Sequence, residues 1–378
     1  MKRILIVNAI PTNNGDAALV FALREKLMER GFEVTISTKR YDTVKKLYPN
    51  IEWIKSDDDF NFIELVLKKI IPVDYILKSK ILFNKKYKNY DAIISAPGGY
   101  VNSYYGFYER FYWMDLIKKY YGPKLIMYSQ SVGPLNDKDK KILDKYIDNF
   151  DLFMVRDEIS YKNVEKYDNI LKTNDAAFLL DSINKNKINN KIVGISVREW
   201  AHDSRDKDIY IKMIKNLVIN VIEKGYEVEF LSTCQGIEGY VDDSKIAKEI
   251  YNFLEDKYKE KVKVIDRYFS LDELRNYLNK FNFVIGTRLH MCILSIISGV
   301  PAFNISYEVK GKECYKIMGM EEYSVDYNDN IESILPKINK FIDNENKIRK
   351  KFEEIYVEMH KEAIRHFDYM VNNIIKNI

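Results

Sequence analysis

Cysteine is scarce. The three residues in 378, Cys234, Cys292 and Cys314, are odd in number, widely separated and without CxxC spacing. That pattern excludes a disulfide framework and a zinc ribbon and suits a reducing cytoplasm. Long apolar runs are also missing: none reaches the ~18–20 residues that span a bilayer. The opening Lys2-Arg3, followed by Ile4 to Val7 and then Asn8, lacks a signal-peptide core and cleavage site. The expected location is cytoplasmic, with room for peripheral attachment at the inner face of the membrane. Charge of one sign is absent too. Sixty Lys and Arg oppose 56 Asp and Glu, a net +4, which gives no footprint for nucleic acid. GxGxxG after the first strand, GxxxxGK[ST], HExxH and GxSxG are all lacking, which disfavours a dinucleotide enzyme, a P-loop NTPase, a zincin and an α/β-hydrolase. No metal-ligand cluster stands out, and no cofactor is expected.

What is present is a regular alternation. The apolar run Arg3 to Ile10 reads as a buried strand, Ala17 to Arg30 as a helix closed by Gly31, and Glu33 to Lys39 as a second strand. Further runs at Asp91 to Ala96, Lys124 to Ser129 and Leu152 to Val155 alternate with helical patterns around Tyr108 to Tyr121 and Asp137 to Asn149. Such alternation specifies an α/β fold with a parallel sheet covered on both faces. It restarts beyond the polar stretch Asp181 to Asn190, with strands expected at Lys191 to Val197, Glu227 to Ser232, Lys261 to Ile265, Phe283 to Gly286 and Ala302 to Ile305. The division expected is a Rossmann-like domain over 1–182, a second over 191–345 and a C-terminal helix over 346–378 that helps brace them. Two such sheets would face across a cleft, with ligands at the carboxyl ends of the strands.

Polar residues gather at those strand ends. Asn13 to Asp16 lies between the first strand and the first helix; Asp16 is either a helix cap or a group facing a ligand. Gly98 and Gly99 follow a strand, where glycine permits close backbone approach or simply a turn. Gln130 opens a similar segment through Pro134. Arg156, before Asp157, could meet an anion with its planar fork or brace the interior. Arg198 and Trp200 hold the corresponding place in the second half, suited to a sugar or phosphate, or to packing. Between Phe62 and Tyr90, seven lysines face one Glu and one Asp, a local excess of five positive charges amid Ile, Leu, Val and Phe. This stretch is either a solvated helical face or a surface for anionic lipid.

The richest block is Val284 to His290. A buried strand ends at Gly286, a turn carries Thr287 and Arg288, a helix begins near Leu289, and a Gly299-Val300-Pro301 stop leads to another strand and Lys310. Arg288, Lys310 and the helix N-terminus would together concentrate positive charge where phosphate and carboxylate could sit. His290 stands at the junction with a side chain suited to proton transfer near neutrality.

Taken in order, Asn14-Gly15-Asp16, Pro97-Gly98-Gly99, Gln130 to Pro134, Val155-Arg156-Asp157, Asp175 to Phe178, Gly194 to Arg198 and Arg288-Leu289-His290 resemble the polysaccharide pyruvyl transferases. The resemblance extends to about Lys316. It implies a GT-B-like pair of Rossmann-type domains, acceptor side first and donor side second. It also implies transfer of the pyruvyl group of phosphoenolpyruvate onto two hydroxyls of a sugar or glycan-lipid acceptor as a cyclic ketal. Arg288 and His290 then map onto donor-binding and catalytic positions, Lys310 and Arg156 onto donor-contacting cations, and Asp16 onto an acidic position facing the acceptor. Competing readings are a GT-B glycosyltransferase taking a nucleotide sugar and a non-catalytic glycan-binding protein of the same fold.

Overall fold

Ile4, Leu5, Ile6 and Val7 are wholly inaccessible to solvent, as a parallel strand covered on both faces requires. They form β1 (Arg3–Val7), the middle of the first sheet. The structure, a computed structural model, describes residues 1–183, 191–198 and 206–377. Trp200 and most of the Asn- and Lys-rich boundary stretch lie outside the described residues.

The strands are β1, β2 (Glu33–Thr38), β3 (Trp53–Lys55), β4 (Ala92–Ser95), β5 (Gly98–Val101), β6 (Lys124–Val132), β7 (Leu152–Val155) and β8 (Ile170–Lys172), then β9 (Ile192–Ser196), β10 (Glu227–Phe230), β11 (Val262–Val264), β12 (Phe283–Gly286), β13 (Ala302–Ser306) and β14 (Ser324–Asp326). Among the described residues, the first eight make one sheet in the order β3-β2-β1-β4-β6-β7-β8, with β5 paired to β6; the other six make a second in the order β11-β10-β9-β12-β13-β14. Every pairing between them is parallel. The helices along the first sheet are α1 (Asn14–Glu29), α2 (Tyr41–Leu47), α3 (Phe62–Leu67), α4 (Val73–Phe83), α5 (Tyr108–Tyr121), α6 (Asp137–Tyr146) and α7 (Glu158–Val164). Those of the second are α8 (Lys207–Glu223), α9 (Ser244–Asn252), α10 (Asp256–Lys259), α11 (Leu271–Leu278), α12 (Leu289–Ile297), α13 (Val309–Ile317) and α14 (Ile331–Asp343); α15 (Glu345–Met370) follows them.

Each sheet reverses its strand order once, between β1 and β4 in the first and between β9 and β12 in the second. A reversal leaves a crevice at the carboxyl ends of its two central strands, because the connections depart to opposite faces there. The chain forms two compact units. One holds Met1–Pro11, Leu19–Leu179 and Lys361–Ile378; the other holds Thr12–Ala18 and Leu180–His360. The segment bearing Asp16 therefore belongs with the second unit, although it precedes nearly all of the first in sequence.

Three expectations are corrected in detail. The first strand stops at Val7 rather than Ile10 because Asn8 adopts a left-handed φ of 60°, which breaks the ladder. Gly98-Gly99 is the start of β5 and not a turn after β4. β6 continues through Gln130 to Val132. Its register against β7 shifts between Met127 and Gln130, where Ser129 takes φ 47°, so the residues expected to leave the sheet remain in it.

Candidate active site

The reversal point of the second sheet is built around Arg288. β12 ends at Gly286 with all four of its residues buried. The Thr287 amide then donates to the Ser196 carbonyl at the end of β9 (2.8 Å), pinning the two central strands together. Arg288 is the N-cap of α12, whose first turn receives no side-chain cap. Helix-start amides without a side-chain acceptor suit an anion.

The Arg288 guanidinium meets Asp243 side-on, with Nε to Oδ2 at 2.8 Å and Nη2 to Oδ1 at 2.7 Å. Asp243 is 0% exposed and also accepts a hydrogen bond from the Ser232 hydroxyl. Burial works against the charge of Arg288, but the Asp243 carboxylate outweighs it and holds the guanidinium pKa above its ordinary value. The side-on pair uses two of five N–H donors. Arg288 is thus locked in orientation, and much of its charge is already balanced. Lys310 sits 3.6 Å from the Glu308 carboxylate, both partly exposed. The expected concentration of positive charge is therefore reduced: each of the two cations has a carboxylate neighbour, and what remains is directed donors and the helix N-terminus.

His290 lies in the first turn of α12, and its ring packs on the backbone of Gly15. A Cβ added at Gly15 would come within 2.9 Å of both Cβ and Nδ1 of the imidazole. Only glycine permits that approach. Gly15 is held in place by its neighbours: the Asn14 amide donates to the Thr233 carbonyl (2.8 Å) and the Asn14 side chain to the Phe269 carbonyl (3.0 Å). Asp16 accepts from the Asn13 side chain at 2.7 Å, and Asn13 in turn donates to the Tyr240 hydroxyl at 3.3 Å. Asp16 does enter the first turn of α1, but the cap-like partner of its own amide is Asn13 Oδ1 (2.9 Å). Arg198, after β9, stacks on the Tyr307 ring at 3.8 Å, and its amide donates to the Tyr210 hydroxyl (3.3 Å). Leu289 fills the first helical position.

The second unit thus brings together Asp16, Arg288, Leu289 and His290 around one strand reversal, with Arg198 after the adjacent strand and Lys310 opening the next helix. Residues missed in the sequence are Asp243 and Ser232. The doublet Asp242-Asp243 ahead of α9 was the available signal for the first of these.

The first unit arranges its own candidates differently. Arg156 is buried and committed inward, with Nη1 to Asp175 Oδ2 at 2.7 Å and Nε to Ser131 Oγ at 2.8 Å. Asp157 is not its partner; it caps α7 through the Ser160 amide (2.7 Å). These bonds tie β6, β7 and the loop after β8 together. Gln130 is fully buried, its Nε2 donating to the Ser131 carbonyl (3.0 Å). The Gly99 carbonyl accepts from the Asn102 side chain (2.7 Å), and Gly98 pairs in register with Gln130. These residues shape one strand edge. A shallow polar hollow lies elsewhere in this unit, at the ends of β1, β2 and β3, lined by Asn8, Ser37, Lys39, Asp58 and Arg110 among others. Lys39 and buried Asp58 pair at 2.8 Å, and Arg110 lies over the Tyr100 ring at 4.7 Å.

The sequence model of the polysaccharide pyruvyl transferases matches residues 13–309, a span running from the Asn13-Asn14-Gly15 segment through the whole Arg288 region. The chain belongs to the polysaccharide pyruvyl transferase family. Among its relatives is the amylovoran biosynthesis protein AmsJ of Erwinia amylovora, 28% identical over 399 residues, covering 93% of this chain and 94% of that one. Solved structures share the fold at far lower identity. A glycosyltransferase from Rickettsia africae ESF-5 superposes with TM-score 0.65 at 12% identity, covering 98% of this chain and 99% of that one. A sucrose-phosphate synthase from Thermosynechococcus elongatus gives 0.64 at 11%, covering 100% and 99%. The fold of this family member is accordingly the α/β GT-B type with two parallel sheets. Among the described residues no helix is long and apolar enough to cross a membrane.

Proposed function

We propose that this transferase moves the pyruvyl group of phosphoenolpyruvate onto two hydroxyls of a sugar, closing a cyclic ketal in a cell-surface polysaccharide or its precursor. The observation that carries the reading is the junction at α12: an oriented guanidinium, an uncapped helix start and an imidazole gathered where the strand order reverses. Phosphoenolpyruvate offers a phosphate and a carboxylate borne on the same carbon. The remaining N–H donors of Arg288 and the α12 amides would hold one, with Lys310 near the other.

His290 protonates the methylene carbon, which leaves the adjacent carbon electron-poor. A sugar hydroxyl adds there and loses its proton, with Asp16 positioned to orient it. The bond to the phosphate oxygen then breaks, its electron pair leaving with phosphate, and the second hydroxyl closes the ring. Of the two hydroxyl protons, one replaces that given by His290 and the other departs with hydrogen phosphate. Charge and atoms balance without a redox partner.

The test is mass spectrometry of candidate hexose-containing acceptors incubated with enzyme and phosphoenolpyruvate. A pyruvyl ketal adduct with the wild type, reduced on the order of 10²–10⁴-fold by His290→Ala, is the expected result; near-normal adduct from that variant would remove His290 as proton donor. The glycosyltransferase reading draws on the fold alone. Thermal stabilisation by uridine diphosphate sugars with none by phosphoenolpyruvate would establish it instead.

A further inference from the structure

Helix α3 is built inside out. Its charged groups face the protein: Glu64 closes a capping box with Asn61 and pairs with Lys80 at 3.0 Å, while Lys68, just after the helix, reaches Glu109 at 2.7 Å and lies 4.2 Å over the Phe60 ring. Its apolar residues face solvent. Phe62 is 81% exposed, and Ile63, Leu65, Val66 and Leu67 are exposed beside it. None of the residues of α3 is buried, so the helix contributes nothing to the core that its composition would predict.

The apolar surface continues. Ile70 is 78% exposed in the loop beyond α3, and Phe83 reaches 88% at the end of α4. α4 itself is anchored by buried Ile76, Leu77 and Ile81, which gives the outer layer a fixed base. Tyr104 and Tyr105 are also exposed, in the loop leading to α5, whose Glu109 holds Lys68. Large exposed apolar patches mark contact surfaces, and the surroundings here identify the contact. Lys69, Lys78, Lys85 and Lys88 are all exposed and have no carboxylate in ion-pair range among the described residues. Outward Phe, Ile and Tyr fringed by unbalanced lysines match an interface with hydrocarbon below and negative headgroups above.

We propose that the face formed by α3, the following loop and the end of α4 docks on an anionic lipid surface. The inference does not depend on the donor chemistry, since its readout is binding and not turnover.

The experiment is sedimentation of the full chain with vesicles of phosphatidylcholine alone or mixed with phosphatidylglycerol, at rising salt. Binding to the mixed vesicles that weakens with salt is expected. The combined variant Phe62→Ser, Ile63→Ser, Ile70→Ser should lower partitioning on the order of a hundredfold with an unchanged circular dichroism spectrum, because these side chains leave no cavity. The separate set Lys69→Gln, Lys78→Gln, Lys85→Gln, Lys88→Gln should cut binding by a similar factor and flatten its salt dependence. Absence of binding to the mixed vesicles overturns the proposal, as does wild-type binding by the Phe62, Ile63, Ile70 variant. A concentration-dependent dimer in analytical ultracentrifugation that this same variant abolishes would assign the face to a second copy of the chain and likewise overturn it.

Discussion

Two N–H donors of Arg288 are committed to Asp243, and that commitment decides what substitutions here remove. Asp243→Asn leaves a mostly buried guanidinium without its counter-charge, so a loss of about 3 kcal/mol in urea-unfolding stability is expected, more than any surface ion pair in the molecule would cost. Gly15→Ala tests a different property. The added methyl must displace the imidazole of His290, and misplacement of a reacting group by ~1 Å costs on the order of 10²-fold. Turnover should fall by that order with phosphoenolpyruvate affinity by calorimetry changed far less; equal losses in both would mean that the donor site itself had moved. Arg288 and His290 were legible because each follows an unbroken apolar run, the mark of a strand end. Asp243 was not, since a carboxylate in a polar loop looks solvated until the chain folds it beneath an arginine 45 residues on. Arg156 shows the converse: its strand-end position was readable, but its partner Asp175 is set by the loop after β8.

At the scale of elements, the loop after β10 joins the pieces of the site. The Ser232 amide donates to Gln235 Oε1 (2.6 Å), Gln235 Nε2 donates to the Arg267 carbonyl (2.8 Å), and Gly236, at φ 71°, lies so close that a Cβ would be 2.2 Å from the Tyr268 amide nitrogen. Backbone cannot yield as a side-chain tip can, and the left-handed φ adds strain of ~1–3 kcal/mol for any other residue. Gly236→Ala should lower the thermal midpoint by several degrees and loosen Arg288 indirectly, through Ser232 and Asp243; an unchanged midpoint would show that the loop has slack. Buried parallel strands such as β1, β4, β9, β12 and β13 were readable as continuous apolar runs. The three-residue edge strands β3, β8 and β14 were not, because each is partly exposed and carries no run to detect. The inside-out pattern of α3 was also hidden, since sequence alone offered both a solvated face and a lipid surface.

For the molecule as a whole, burial sorts the thiols. Cys234 and Cys292 are pushed up to about 12 from an ordinary 9.0, by desolvation above all, while Cys314 is only half-buried. A disulfide-exchange reagent at pH 8 should modify Cys314 first and the other two only as fast as the protein opens. The raised pair favours the folded state fully below about pH 9; as pH rises from there toward 12, the unfolded thiols ionise first and stability declines. Flat stability across that window by chemical denaturation would contradict the burial. The contact between Gly15 and His290 has one more consequence, which concerns biosynthesis. The residues meet across 275 positions, so no contiguous fragment of the second unit contains its own strand-reversal site: an excised 191–345 would leave the Thr233 and Phe269 carbonyls without their Asn14 donors. During translation the segment from Thr12 to Ala18 precedes its Thr233, Phe269 and His290 contacts by roughly 10–55 s of synthesis at ordinary ribosomal rates. The earliest-made part of the site therefore completes its contacts only after most of the chain has been made.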